Sequence, residues 1–153
     1  MKHIPFFKPL IDENEEQAVL RILRSGRLTT GKETLEFEKE FADFVGSRYA
    51  FAVNSATSGL LLALDACGVG TGSAVITSPY PFASTATSAV HLGADVLYAD
   101  VNHDDYNISI ESVENLLRKN KNVKAIIPIH IAGNVCKMQA LNNLAKQYGV
   151  KVI

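Results

Sequence analysis

Residues 72–101 read GSAVITSPYPFASTATSAVHLGADVLYADV. Two short apolar runs, AVITS at 74–78 and DVLYADV at 95–101, flank a segment that reads as a helix from about 82 to 91. Strands this apolar along their whole length are buried on both faces, and two of them joined through a helix form a β-α-β unit with parallel strands. The same alternation continues outward. Before it come YAFAV at 49–53 and a helix over 57–67; after it come a helix over 110–119, the strand KAIIPIH at 124–130, a helix over 137–148 and a final strand, VKVI. The expected class is α/β, a three-layer α/β/α arrangement around a mostly parallel sheet. Ligands in such sheets bind where the carboxyl ends of the strands open into loops.

Further upstream the pattern is helical. Asp12 to Ser25 has a capping box in Asp12 and Glu15, an apolar face of Ala18, Val19, Ile22 and Leu23, and Gly26 at the position of a helix C-terminus. A second helix sets Phe37, Phe41, Phe44 and Val45 on one side, expected to be a core face, and stops at Gly46. Short Gly- or Pro-marked turns join all these elements with no linker or repeat, so the chain reads as one continuous module.

Between the two helices lies GRLTTGKET, residues 26–34, which fits Gly, four residues, Gly, Lys and so resembles a phosphate loop. A working phosphate loop follows a buried strand and has Ser or Thr after the Lys to hold Mg²⁺. Here a helix precedes it and Glu33 occupies the Ser/Thr position, so this is not an ATP site.

Composition narrows the partners. The 153 residues are 47% apolar and 20% charged with a net charge of −1, which suits a globular protein and offers no electrostatic footprint for nucleic acid or an anionic membrane. The opening MKHIPFFKPL has two prolines and no apolar run, so neither a signal peptide nor a membrane span is expected, and the expected location is cytoplasmic. Cys67 and Cys136 lack metal-ligand spacing and read as reduced structural thiols. No metal site is expected.

Three loops open from strand ends. Asn54, Ser55, Ala56, Thr57 and Ser58 put hydroxyls and free backbone donors at the positive end of a helix dipole, where they suit a phosphate and serve equally as helix caps. In SPYPF the two prolines present Phe82 at the sheet mouth, suited to stacking on a flat ring and equally to core packing, with Tyr80 as a neighbour. PIHIAG places His130 at the end of its strand, as a loop-mouth polar residue or a catalytic group.

Taken together, IPFFKPLIDENEEQAVLRILRSGRLTTG, FEKEFADFVGSRYAFAVNSATSGLLLAL, GSAVITSPYPFASTATSAVHLGADVLYADV and AIIPIHIAGN resemble consecutive blocks of the DegT/DnrJ/StrS family of nucleotide-sugar aminotransferases, over essentially the whole chain. The resemblance implies the large domain of type I pyridoxal-phosphate (PLP) transferases, with PLP moving an amino group, usually from glutamate, onto a nucleotide-linked keto-sugar for cell-surface or secondary-metabolite sugars. It implies that Thr57 and Ser58, with Ala56 beside them, bind the cofactor phosphate and that Phe82 stacks on its ring. It implies that Gly26, Arg27, Leu28, Thr29, Thr30 and Gly31 line the sugar-nucleotide pocket. LTTGK and NSATSGL are similar to members that aminate UDP-linked keto-deoxy-N-acetylhexosamines, where the residue at Phe6 also contacts substrate, and to members that make an aminodeoxyarabinose. A homodimer is implied.

In the family VKVI continues into Glu-Asp-Ala-Ala, whose Asp pairs with the pyridine nitrogen, and a later Lys forms the Schiff base. Both are expected beyond Ile153, so the chain reads as residues 1–31, helix and substrate loop, followed by 32–153, the first part of the PLP-binding domain, inactive by itself. The resemblance also implies that the strands at 95–101, 74–78, 124–130 and 150–153 are neighbours in that order, with 49–53 far to one side. Two other readings stand beside this one: a non-catalytic regulatory fragment, and a PLP-dependent sugar dehydratase.

Overall fold

A computed structural model describes Pro5 and residues 7–153. The chain divides into two compact units, Met1–Ala52 and Val53–Ile153, rather than the single module expected from its short turns.

The first unit is built on two helices. Helix α1 (Glu13–Ser25) begins at Asp12, whose carboxylate accepts the Asn14 amide at 2.8 Å while Glu15 accepts the Asp12 amide at 2.8 Å. This reciprocal arrangement satisfies donors that the helix itself cannot. The helix ends at Gly26, whose φ of 69° is the left-handed conformation that closes a helix at least cost in glycine. Helix α2 (Lys32–Val45) ends at Gly46. The expected core faces are not covered: Phe37, Phe41, Val19 and Leu23 are about half exposed and Phe44 is 89% exposed. Helical periodicity records which side of a helix is apolar, and the cover for that side is a separate matter.

The second unit carries a four-stranded parallel sheet in the order β2-β1-β3-β4, formed by β1 (Ala74–Thr77), β2 (Asp95–Tyr98), β3 (Val123–Ile127) and β4 (Lys151–Val152). That is the order implied by the resemblance. Helices α3 (Ala56–Ala66) and α4 (Ala83–His91) follow one another before and after β1, and α5 (Ile110–Lys119) and α6 (Met138–Tyr148) before and after β3. Alternation along the strands sorts the core into two layers. Ile76 and Ile126 point to one face with Val113, Leu117 and Leu141 of α5 and α6, whereas Val75, Ala125 and Ile127 point to the other with Leu64 of α3 and Ala89 of α4. The register slips once, between Ala74 and Val75, where Val123 and Lys124 together face β1. The bulge sends Lys124 to solvent without moving the core residues after it.

Residues 49–53, expected as a strand, are not one: they form no ladder, and Phe51 is 81% exposed. An extended apolar run is a strand only where a partner supplies its hydrogen bonds, and among the described residues no strand pairs with this one. Helix α3, expected to be apolar and buried all round, buries only Leu64 fully. Among the described residues no helix is long and apolar enough to cross a membrane.

Candidate functional site

Topology places three loops at one edge of the sheet. In a parallel sheet every strand's carboxyl end faces the same way, so the loops after β1, β2 and β3 open together. Helix α3 joins them from the opposite direction. Its C-terminus leads through residues 67–73 into the first residue of β1, and α3 packs alongside α4 on the same face. Its eleven residues span about 16 Å against roughly 13 Å for a four-residue strand, so its N-terminus reaches that same edge.

At this N-terminus Ser55 is the cap. Its hydroxyl accepts the Ser58 amide at 3.1 Å and lies 2.9 Å from the Ser58 hydroxyl, which in turn donates to Asn54 Oδ1 at 2.8 Å. The three polar side chains therefore hold one another. The capping role that the sequence allowed falls to Ser55, and among the described residues the amides of Ala56 and Thr57 and the Thr57 hydroxyl donate to no protein acceptor. Two open amides at the positive end of an eleven-residue helix, beside an open hydroxyl, are the donor set that a phosphate dianion fits.

Phe82 stands at the cap of α4 with extended backbone, φ −67° and ψ 140°, and is 82% exposed, so it is not a core residue. At the end of β1 Thr77 is buried, and its hydroxyl donates to the Ile127 carbonyl at 3.0 Å. His130 lies three residues past the end of β3, exposed, with its Nδ1 accepting the Cys136 amide at 3.2 Å. That bond puts the ring hydrogen on Nε2 in the neutral tautomer. Cys136 is buried, and its thiol donates to the Ile129 carbonyl at 3.1 Å. Burial pushes this thiol above the ordinary cysteine range.

The first unit has its own cleft, of about 680 Å³, between the end of α1 and the start of α2. Arg27, Leu28, Thr29, Thr30 and Gly31 line it, together with Arg21 and Lys32. Gly26 is the cap of α1 and does not line it. Arg21 is tied to Glu33 at 2.8 Å and Lys32 to Glu36 at 3.3 Å, which leaves Arg27 as the cation without a carboxylate partner among the described residues of the cleft. Its stem lies over Gly31, where a Cβ would come within 3.1 Å of Arg27 Cδ. Gly31 gives α2 no side-chain cap. Phe6 lies outside the described residues.

The sequence did not signal that Arg21 pairs with Glu33. Arg21 and Glu33 are twelve positions apart and meet only because the 26–31 turn folds α2 back on α1.

Residues 9–153 match the model of the DegT/DnrJ/EryC1/StrS aminotransferase family. The chain is 42% identical over 150 residues to the spore coat polysaccharide biosynthesis protein SpsC of Bacillus subtilis, covering 98% of this chain and 38% of that one. Its fold superposes on Helicobacter pylori PseC, an aminotransferase involved in the biosynthesis of pseudoaminic acid, with a TM-score of 0.90 at 30% identity, over 99% of this chain and 40% of the other. The PLP form of Spr1654 from Streptococcus pneumoniae gives 0.88 at 30% identity, over 98% and 38%. The chain therefore spans about two fifths of the length of the proteins it resembles.

Proposed function

Because the chain belongs to the DegT/DnrJ/EryC1/StrS aminotransferase family, we propose that its gene product transfers an amino group from glutamate to a nucleotide-linked keto-sugar, with PLP as cofactor. The observation that carries this reading is the start of α3, where the amides of Ala56 and Thr57 and the Thr57 hydroxyl stand open at the same sheet edge as the exposed ring of Phe82. A phosphate and a flat ring are the two parts of PLP that a protein grips without chemistry.

On this reading Ala56 and Thr57 bind the phosphate through their amides, and Ser58, fixed by Ser55 and Asn54, keeps the turn in shape. Phe82 covers one face of the ring and excludes water from it. Bound PLP supplies an electron sink that lets an amino group leave one carbon and join another. The cleft of the first unit takes the sugar nucleotide, with Arg27 on the diphosphate and the Thr29 and Thr30 hydroxyls as hydrogen-bond partners. This reading also needs an acid at the pyridine nitrogen and a lysine that holds the cofactor, and it assigns neither role to a residue described here. The whole protein works in the cytoplasm as a homodimer.

Equilibrium dialysis tests the cofactor assignment. PLP retention should fall in Thr57→Ala and return in Thr57→Ser, which restores the hydroxyl. Equal retention in all three proteins would remove Thr57 from the site.

A further inference from the structure

The loop after β2 touches both of its neighbours at the sheet edge. Residues 101–108 fold back as a tight hairpin: Val101 and Ile108 form an antiparallel bridge, and the Asn102 amide donates to the Asn107 carbonyl at 2.9 Å. Asp105 Oδ1 fixes the turn by accepting Asn102 Nδ2 at 3.0 Å and the Asn107 amide at 2.9 Å.

At the tip Tyr106 has φ 57°, the left-handed conformation that a bulky residue rarely adopts. This conformation turns two successive side chains to different neighbours. The Tyr106 ring lies 6.4 Å from the ring of Tyr80, in the loop that carries Phe82. Asn107 is 2% exposed and faces the other loop, accepting the Ile131 amide at 3.2 Å and donating to the Asn134 carbonyl at 3.1 Å. Those two contacts bracket the short 3-10 turn Ile131–Gly133, whose middle residue, Ala132, is also left-handed with φ 51°. The non-glycine residues recorded with positive φ are thus both found where the hairpin and the His130 loop meet.

We infer that the 101–108 hairpin is a brace between the Phe82 loop and the His130 loop, with Tyr106 and Asn107 as its positioning residues. Tyr106 sets the first loop by ring contact, and Asn107 sets the second by two hydrogen bonds to its backbone. The consequence for the cofactor rests on reading this edge as the PLP site; the brace itself does not.

The test uses the gene product that carries this chain and two independent measurements, amide hydrogen exchange and PLP titration followed by absorption. Asn107→Leu keeps the bulk of the buried side chain and removes both the acceptor for the Ile131 amide and the donor to the Asn134 carbonyl. Exchange at Ile131 should rise about tenfold or more, as expected for a buried hydrogen-bond network partly lost. Tyr106→Gly suits the left-handed backbone, so folding is not threatened, yet it removes the ring. Exchange at Thr85, whose amide donates to the Phe82 carbonyl at 3.0 Å, should then rise, and Tyr106→Phe should restore it. Both loosening variants should weaken PLP binding and alter the absorption of the bound cofactor. Unchanged exchange at Ile131 and Thr85 would overturn the brace. Raised exchange with unaltered PLP affinity and spectrum would overturn its positioning role. Failure of the wild-type protein to bind PLP would remove the cofactor reading, while the exchange data would still decide the brace.

Discussion

Ala56, Thr57 and Phe82 owe their availability to the residues around them. Ser55 takes the capping bond and Ser58 is engaged with Asn54 and Ser55, so Thr57 is left with donors facing out. Thr57→Ala should therefore weaken PLP retention by about 1–3 kcal/mol, the range for a hydrogen bond to a charged group. Phe82→Leu keeps much of the bulk and removes the flat face, and should weaken retention while leaving the melting temperature unchanged, since Phe82 is outside the core. Cys136 is expected to behave as a pH-dependent structural thiol. Its folded titration point is raised, chiefly by burial, so its contribution to stability is full below the ordinary thiol range and is lost as pH rises through the raised value. Alkylation at neutral pH, followed by mass spectrometry, should modify the half-buried Cys67 before Cys136. Among these residues the sequence singled out Thr57, Ser58 and Phe82 by their places at helix starts, and the resemblance supplied the cofactor roles proposed for them. Tyr106 and Asn107 were not legible, since their importance comes from which loops the strand order places beside them.

The helix termini were written in short-range chemistry, and α1 and α2 end where Gly26 and Gly46 indicated. What could not be read locally was cover. Residues 49–53 have strand composition and no partner, and α3 is apolar around its circumference with one face buried. Within α3 this gives a sharp contrast. Leu64→Ala empties a fully buried position and should cost about 2–5 kcal/mol in denaturant unfolding, whereas Leu62→Ala, at a half-exposed position, should stay within about 0.5 kcal/mol. The turn from α4 to β2 is equally constrained. Gly93 has φ 79°, and a Cβ there would lie 2.7 Å from Thr71 Oγ1, so Gly93→Ala should lower the melting temperature through both strain and crowding. In α1 the Asn14 amide, and then Glu15, hold the Asp12 carboxyl below the usual Asp range. The cap is thus fully effective above that range and is lost as pH falls through the lowered value, which circular dichroism of Asp12→Ala against the parent would show as a vanishing difference in acid.

As a whole molecule, the chain has a two-layered core in its second unit and much uncovered apolar surface elsewhere. Phe44 and Phe51 are largely exposed, along with the half-exposed faces of α1 and α2. Surface of this kind drives association, so residues 1–153 alone should sediment as concentration-dependent oligomers. A monodisperse monomer at all concentrations would show that these side chains are tolerated singly. The class of fold and the sheet order were readable because β-α-β alternation with apolar strands has few solutions. If this sheet edge belongs to an aminotransferase, the protein should carry out the half-reaction with glutamate. Absorption of the gene product loaded with PLP should shift on adding glutamate from the band of bound PLP to that of pyridoxamine phosphate, with release of 2-oxoglutarate, and a nucleotide-linked keto-sugar should reverse it. A loaded protein whose spectrum is unmoved by glutamate or any other amino donor would contradict the claim.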